Sequence, residues 1–174
     1  MRELNQQLIK LYDDKNFKEE DFYISKSNKH IYNLFSRWPK WEKNFLNIHG
    51  ETFSGKTHLI NIFLKKFKGI KFEASLIKNE NLNEIKIYQN IVLENLDENI
   101  DEKLIFTLFN IIEQDNKYLI VTSKKPIVSI NFRLEDLKSR TKIFLLQSIE
   151  NPDDELMYAL ILKNLSDRQI SLDK

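Results

Sequence analysis

From residue 45 onward the chain alternates short apolar runs with stretches whose apolar residues recur every three or four positions. FLNIH, residues 45–49, is a run of the kind buried on both faces of a sheet. THLINIFLKKF, residues 57–67, gathers Leu59, Ile60, Phe63 and Leu64 on one side of a helix. The same reading predicts strands over residues 68–75, 87–95, 117–123 and 141–148. A long helix is expected over 100–115, with Leu104, Ile105, Leu108, Phe109, Ile111 and Ile112 on its apolar side, and a shorter one over 134–139. The polar, asparagine-rich residues 79–84 read as a flexible connection. Strand and helix in turn predict an α/β fold in which a five-stranded parallel sheet lies between helices. A chain of 174 residues has room for one such core.

Only three glycines occur, Gly50, Gly55 and Gly69, and two of them fall in GETFSGKT, residues 50–57. This segment fits GxxxxGK[ST] at every specified position, between a predicted strand and a predicted helix. Glycine lets the backbone N–H groups turn inward toward phosphate oxygens, and the opening helix directs its positive dipole end at the same anion. Lys56 would reach the β and γ phosphates, and Thr57 would offer its hydroxyl to Mg²⁺. Such a loop needs a carboxylate at the end of a neighbouring buried strand to hold the hydrated metal, and Glu94 after Ile91, Val92 and Leu93 supplies it. Asn95 follows. A neutral amide can orient water but cannot accept its proton, so intrinsic hydrolysis is expected to be weak.

Composition narrows the field without redirecting it. With 27 Lys and Arg against 26 Asp and Glu, the net charge of +1 argues against DNA or RNA held mainly by phosphate neutralisation. The absence of cysteine excludes disulfides, zinc–thiolate sites and thiol nucleophiles, and three scattered histidines give no metal-ligand spacing. The opening MRELNQQLIKLYDD has no apolar signal core, and no run approaches the length of a membrane span, so a soluble cytoplasmic protein without membrane contact is expected.

Several longer segments carry a resemblance. EEDFYISKSN (19–28), RWPKW (37–41), GETFSGKTHL (50–59), VLEN (92–95), LEDLKSR (134–140) and NPDDELMYALILKNLSDRQI (151–170) resemble the DnaA-related AAA+ family of P-loop NTPases. Within it they are most similar to Hda, the regulatory inactivators of DnaA, of alphaproteobacterial type. The resemblance implies an amino-terminal arm over 1–18, an AAA+ nucleotide-binding domain over 19–149 and the start of a helical lid over 150–174, truncated against the family pattern. It implies ADP or ATP with Mg²⁺ as cofactors. Phe22, Tyr23 and Ile24 would lie near the adenine, with Gly50, Ser54, Gly55, Lys56, Thr57 and His58 around the phosphates and Thr57 and Glu94 toward the metal. Thr122 and Ser123, ending the fourth predicted strand, occupy the place of a polar residue that would sense the γ-phosphate, Ser123 being the candidate, although Ser and Thr also commonly end strands and open turns. Arg140 matches the family's box VII arginine, a finger supplied in trans to a partner's nucleotide.

The function so implied is regulation of chromosomal replication initiation. The protein would bind adenine nucleotide, meet the DNA polymerase III sliding clamp on DNA, and stimulate ATP hydrolysis by DnaA. It would touch DNA only indirectly, and homo-oligomerisation is left open. A glutamine-led apolar motif in the arm, Gln6, Ile9 and Leu11, with Gln7 equally able to lead it, would dock on the clamp as an extended peptide; an arm folding onto its own domain accounts for Leu8 and Leu11 equally. Because the chain ends at Lys174 with no helix-turn-helix segment to read origin DNA, a regulator is expected rather than an initiator. The alternative is a self-sufficient AAA+ ATPase that loads or remodels a DnaA-like or helicase partner. A third reading is a DnaA-binding protein in which nucleotide only stabilises the fold.

Overall fold

The computed structural model describes residues 23–150 and 154–167. The arm with Gln6, Ile9 and Leu11, and also Phe22, lie outside the described residues.

In chain order the elements are α1 (Lys29–Ser36), β1 (Phe45–His49), α2 (Lys56–Phe67), β2 (Ile70–Glu73), α3 (Asn81–Ile87), β3 (Asn90–Leu96), α4 (Glu102–Gln114), β4 (Tyr118–Ser123), α5 (Glu135–Arg140), β5 (Leu145–Ser148) and α6 (Asp154–Asp167). The strands form one parallel sheet in the order β2-β3-β4-β1-β5. The expected α/β class and five strands are therefore present.

The alternation of side chains along each strand divides the core in two. Leu46, Ile48, Val92 and Ile120 point to one face, where they meet Ile31 and Phe35 of α1 and Leu59, Ile60 and Phe63 of α2. Phe45, Ile91, Leu93, Leu119 and Val121 point to the other, against Ile85 of α3, Leu104, Ile105, Leu108, Phe109 and Ile112 of α4, and Leu137 of α5. Both faces are covered, which is why the strands read as continuous apolar runs rather than as alternating ones.

Trp38 and Trp41, in the RWPKW segment, pack on the far half of α2 and on β4. Trp41 lies 5.6 Å from Phe63 and 5.8 Å from Tyr118 between ring centroids, and Trp38 lies 4.7 Å from Phe67. The Trp41 indole N–H donates to the carbonyl of Leu34 at 2.8 Å.

Some boundaries differ from expectation. The expected flexible connection at residues 79–84 instead leads into α3: the Asn81 side chain accepts from the backbone N–H of Lys78 at 2.9 Å, and Ile85 is fully buried. β3 begins at Asn90 rather than at Ile87, whose side chain is 78% exposed at the end of α3. β5 is likewise shorter than expected, because Thr141–Ile143 forms a 3₁₀ turn whose first hydroxyl donates to the carbonyl of Lys138 at 2.8 Å. Helix α1 has no counterpart among the expected elements. Its entry is a knot of short polar side chains: Asn28 accepts from the Ser25 N–H at 3.1 Å and donates to the carbonyl of Tyr23 at 3.0 Å, while the Ser25 and Ser27 hydroxyls lie 2.7 Å apart.

Candidate functional site

The glycine loop lies at the C-terminal edge of the sheet, where parallel α/β folds receive ligands. Two backbone bonds fix its base, from the Gly50 N–H to the carbonyl of Ser123 at 3.2 Å and from the Ile149 N–H to the carbonyl of His49 at 2.7 Å. The closeness of these neighbours explains the first glycine: a Cβ on Gly50 would stand 2.6 Å from the carbonyl oxygen of Ile149. Gly55 is required for another reason, since it opens α2 in the left-handed region at φ 92°. Phe53 shares that handedness at φ 66° with its ring 93% exposed.

Lys56 is buried and folded back over the loop. Its ammonium donates to the carbonyls of Gly50 and Glu51, both at 2.7 Å, and to the Ser54 hydroxyl at 3.2 Å. These oxygens hold the charge where phosphate oxygens would take it up. Burial pushes the Lys56 pKa down, Glu51 partly opposes this, and the neighbouring charge of Lys124 pushes it further down. His49, ending β1, also has a lowered pKa, first from burial and then from Lys56.

A cavity of about 750 Å³ opens in front of the loop, within the range of small-molecule sites. Ser54, Gly55, Lys56, Thr57 and His58 line it from the loop and the first turn of α2. Asn95 and Asp97 line it from the end of β3, and Lys124 and Lys125 from the end of β4. Three lysines around a helix start suit a polyanion.

Glu94 is not among the residues lining the cavity and is 6% exposed. One of its carboxylate oxygens, Oε2, is 3.1 Å from the ammonium of Lys71, while Oε1 is buried and has no hydrogen-bond partner among the described residues. A hard cation takes oxygen ligands, and a hydroxyl at Thr57 with a partly unsatisfied carboxylate at Glu94 fits magnesium.

Asn95 takes φ 56° at a register shift between Leu93 and Leu96. Its N–H donates to the Thr122 hydroxyl at 3.0 Å and its side-chain amide to Glu73 Oε2 at 3.1 Å. Ser123 is not brought into the cavity. Its hydroxyl accepts from Asn47 at 2.9 Å and donates its proton to the carbonyl of Lys125 at 2.6 Å, so its donor capacity is spent on shaping the end of β4. Asn47, fully buried, also bonds the carbonyl of Val121 and the N–H of Ile127. Tyr23 and Ile24 are each 42% exposed and stand apart from the cavity lining. Arg140 also lies outside that lining: its guanidinium pairs with Glu113 of α4 and sits 6.0 Å from the centroid of the Phe106 ring.

Sequence reasoning missed Lys71, Asn47 and the lysines at the end of β4 as parts of this site. The signal available for Lys124 and Lys125 was their place immediately after the strand that ends beside the loop.

The strand order, the loop and the cavity can be set against known structures. The chain superposes on a crystal structure of a DNA replication initiation factor with a TM-score of 0.75 and 20% identity, covering 92% of this chain and 57% of that one. It superposes on AMPPCP-bound DnaA from Aquifex aeolicus with a TM-score of 0.70 and 21% identity, covering 89% and 56%. The fold is that of the AAA+ module of DnaA. In sequence this DnaA-like domain is 28% identical over 179 residues to the chromosomal replication initiator protein DnaA of Caldanaerobacter subterraneus subsp. tengcongensis, covering 88% of this chain and 40% of that protein. The chain thus spans about two fifths of the length of the curated DnaA proteins it matches. No protein-family model matches it. Sequence and fold together relate it to the DnaA-type replication initiators. Among the described residues, no helix is long and apolar enough to cross a membrane.

Proposed function

We propose that the protein binds ADP or ATP with Mg²⁺ in the loop cavity and regulates replication initiation by acting on DnaA. Gly50, Ser54, Gly55, Lys56 and Thr57 would hold the phosphates, Thr57 and Glu94 the metal, and α6 would begin the lid. When bound, the magnesium would supply charge compensation for the phosphates. The AMPPCP held by the Aquifex aeolicus relative supports the nucleotide part of this reading.

The observation that carries the regulatory part is the position of Arg140. Its guanidinium takes no part in the cavity of its own chain and is 30% exposed, held by Glu113 on the α4–α5 side. An arginine so placed suits a finger offered to another subunit's phosphates, because it stays charged and can fork across two oxygens. Asn95 supports the same division of labour, since it leaves this chain without a carboxylate base at that position. The clamp would be met through Gln6, Ile9 and Leu11.

The test is ATP hydrolysis by DnaA in the presence of DNA-loaded sliding clamp, comparing the wild type with Arg140→Ala at equal ADP occupancy. Arginine fingers raise phosphoryl transfer by roughly 10³ to 10⁵, so the variant should lose most of the stimulation while keeping its own nucleotide. Equal stimulation by both proteins removes Arg140 from the mechanism. Rapid hydrolysis by the protein alone would instead favour a self-sufficient loader.

A further inference from the structure

We propose that Lys71 is a resident competitor of magnesium at Glu94, so that this site binds its nucleotide with little dependence on the metal. The inference rests on the nucleotide reading above and concerns how that site is regulated.

Lys71 belongs to the edge strand β2 and pairs in register with Val92 of β3, two residues before Glu94. Its ammonium reaches Glu94 Oε2 at 3.1 Å and the side-chain oxygen of Asn61 at 2.9 Å. Asn61 lies on α2, four residues after Thr57, so the two share a face of the helix about 6 Å apart along its axis. The lysine is thereby tied to the helix that carries Thr57 and held against the carboxylate that would face the metal.

The environment makes this contact unlike an ordinary surface pair. The Glu94 side chain is 8% exposed, and a charge so placed requires a counter-charge. Lys71 supplies it from a side chain that is 34% exposed and reaches inward. A hydrated divalent ion approaching Glu94 meets a carboxylate already half neutralised, with a second positive charge beside it. It must either displace the ammonium or accept its repulsion. Either course weakens metal binding, and Lys56, Lys124 and Lys125, which line the cavity, supply positive potential there without the metal. The orphaned Oε1 remains as the oxygen through which a metal can still engage.

The experiment is equilibrium binding of a fluorescent N-methylanthraniloyl-ADP to the full chain, in EDTA and across a magnesium series, without reference to hydrolysis. In the wild type the affinity should change only about threefold or less between EDTA and saturating magnesium. Lys71→Met, which removes the charge and keeps the stem, should lower the magnesium concentration needed for half-maximal effect by about tenfold. Lys71→Arg should restore wild-type behaviour, which a merely structural role would not require. Lys71→Gln, which retains an amide for Asn61, makes the same comparison if the methionine variant melts early. Strong magnesium dependence in the wild type, or the same magnesium dependence in the neutral variants with binding intact, would overturn the competitor role alone. Failure of the wild type to bind the analogue under any magnesium condition would overturn the nucleotide reading itself, and this inference with it.

Discussion

At the scale of single residues, Asn95 shows how a side chain can be fixed by its neighbours rather than by the reaction. Its backbone occupies the left-handed region at φ 56°, which asparagine tolerates better than most residues, and its amide donates to the carboxylate of Glu73. Restoring an acid there would place two carboxylates at hydrogen-bond distance. Like charges so close oppose joint ionisation. Asn95→Asp should therefore lower stability at neutral pH by about 1 kcal/mol and raise turnover by supplying the base that the amide lacks. Adding Glu73→Gln to it should recover the lost stability. Urea melts of the two variants, with phosphate release measured alongside, check both statements. Lys56 shows a related constraint, because the carbonyls it binds at 2.7 Å belong to the loop it would have to release to receive phosphate under the proposed reading.

Among the elements, α3 depends on contacts distant in sequence. Seven residues cannot sustain a helix in water, and one fully buried side chain, Ile85, anchors it to the core. Its C-terminal end is held by Lys117, 6% exposed, whose ammonium donates to the carbonyls of Lys86 at 2.8 Å and Tyr88 at 3.0 Å. Lys117→Met keeps the stem and strands these acceptors, so the variant should lose about 1–3 kcal/mol, with amide exchange accelerating first in α3. The same distance in sequence explains what could be read beforehand. GETFSGKT was legible because a phosphate loop needs its residues side by side, and α4 because five buried apolar residues recur at helical spacing. Glu94, following the apolar run Ile91–Leu93, could be named for the same reason. Helix α3 was hidden by its polar first turn, α1 by an entry knot of Ser25, Ser27 and Asn28 that no apolar period records, and Lys71 because its partner stands on another strand. Asn47 was concealed within an apolar run, although its bonds to β4 and Ile127 decide how Ser123 is used.

For the molecule as a whole, the neutral ring of His49 links stability to pH. Burial, and then the charge of Lys56, hold its pKa below the ordinary value of 6.5. Between 6.5 and the lowered folded value the unfolded chain binds a proton that the folded chain refuses, so this contribution falls as pH decreases through that window. It is fully present above 6.5 and does not fall further once pH is below both values. Melting temperatures of wild type and His49→Gln across this range should converge toward acid pH, with the wild type losing more; parallel curves would exclude the link. Movement within the domain has its own natural gauge. Both tryptophans of the chain, Trp38 and Trp41, rest against Phe63 and Phe67 in the far half of the helix that begins at the glycine loop. Intrinsic ultraviolet emission therefore watches one end of α2 while ligands arrive at the other. A spectral shift on adding nucleotide would register displacement carried along the helix with no dye attached, and a constant spectrum would mean that the ligand is received by a helix already in place.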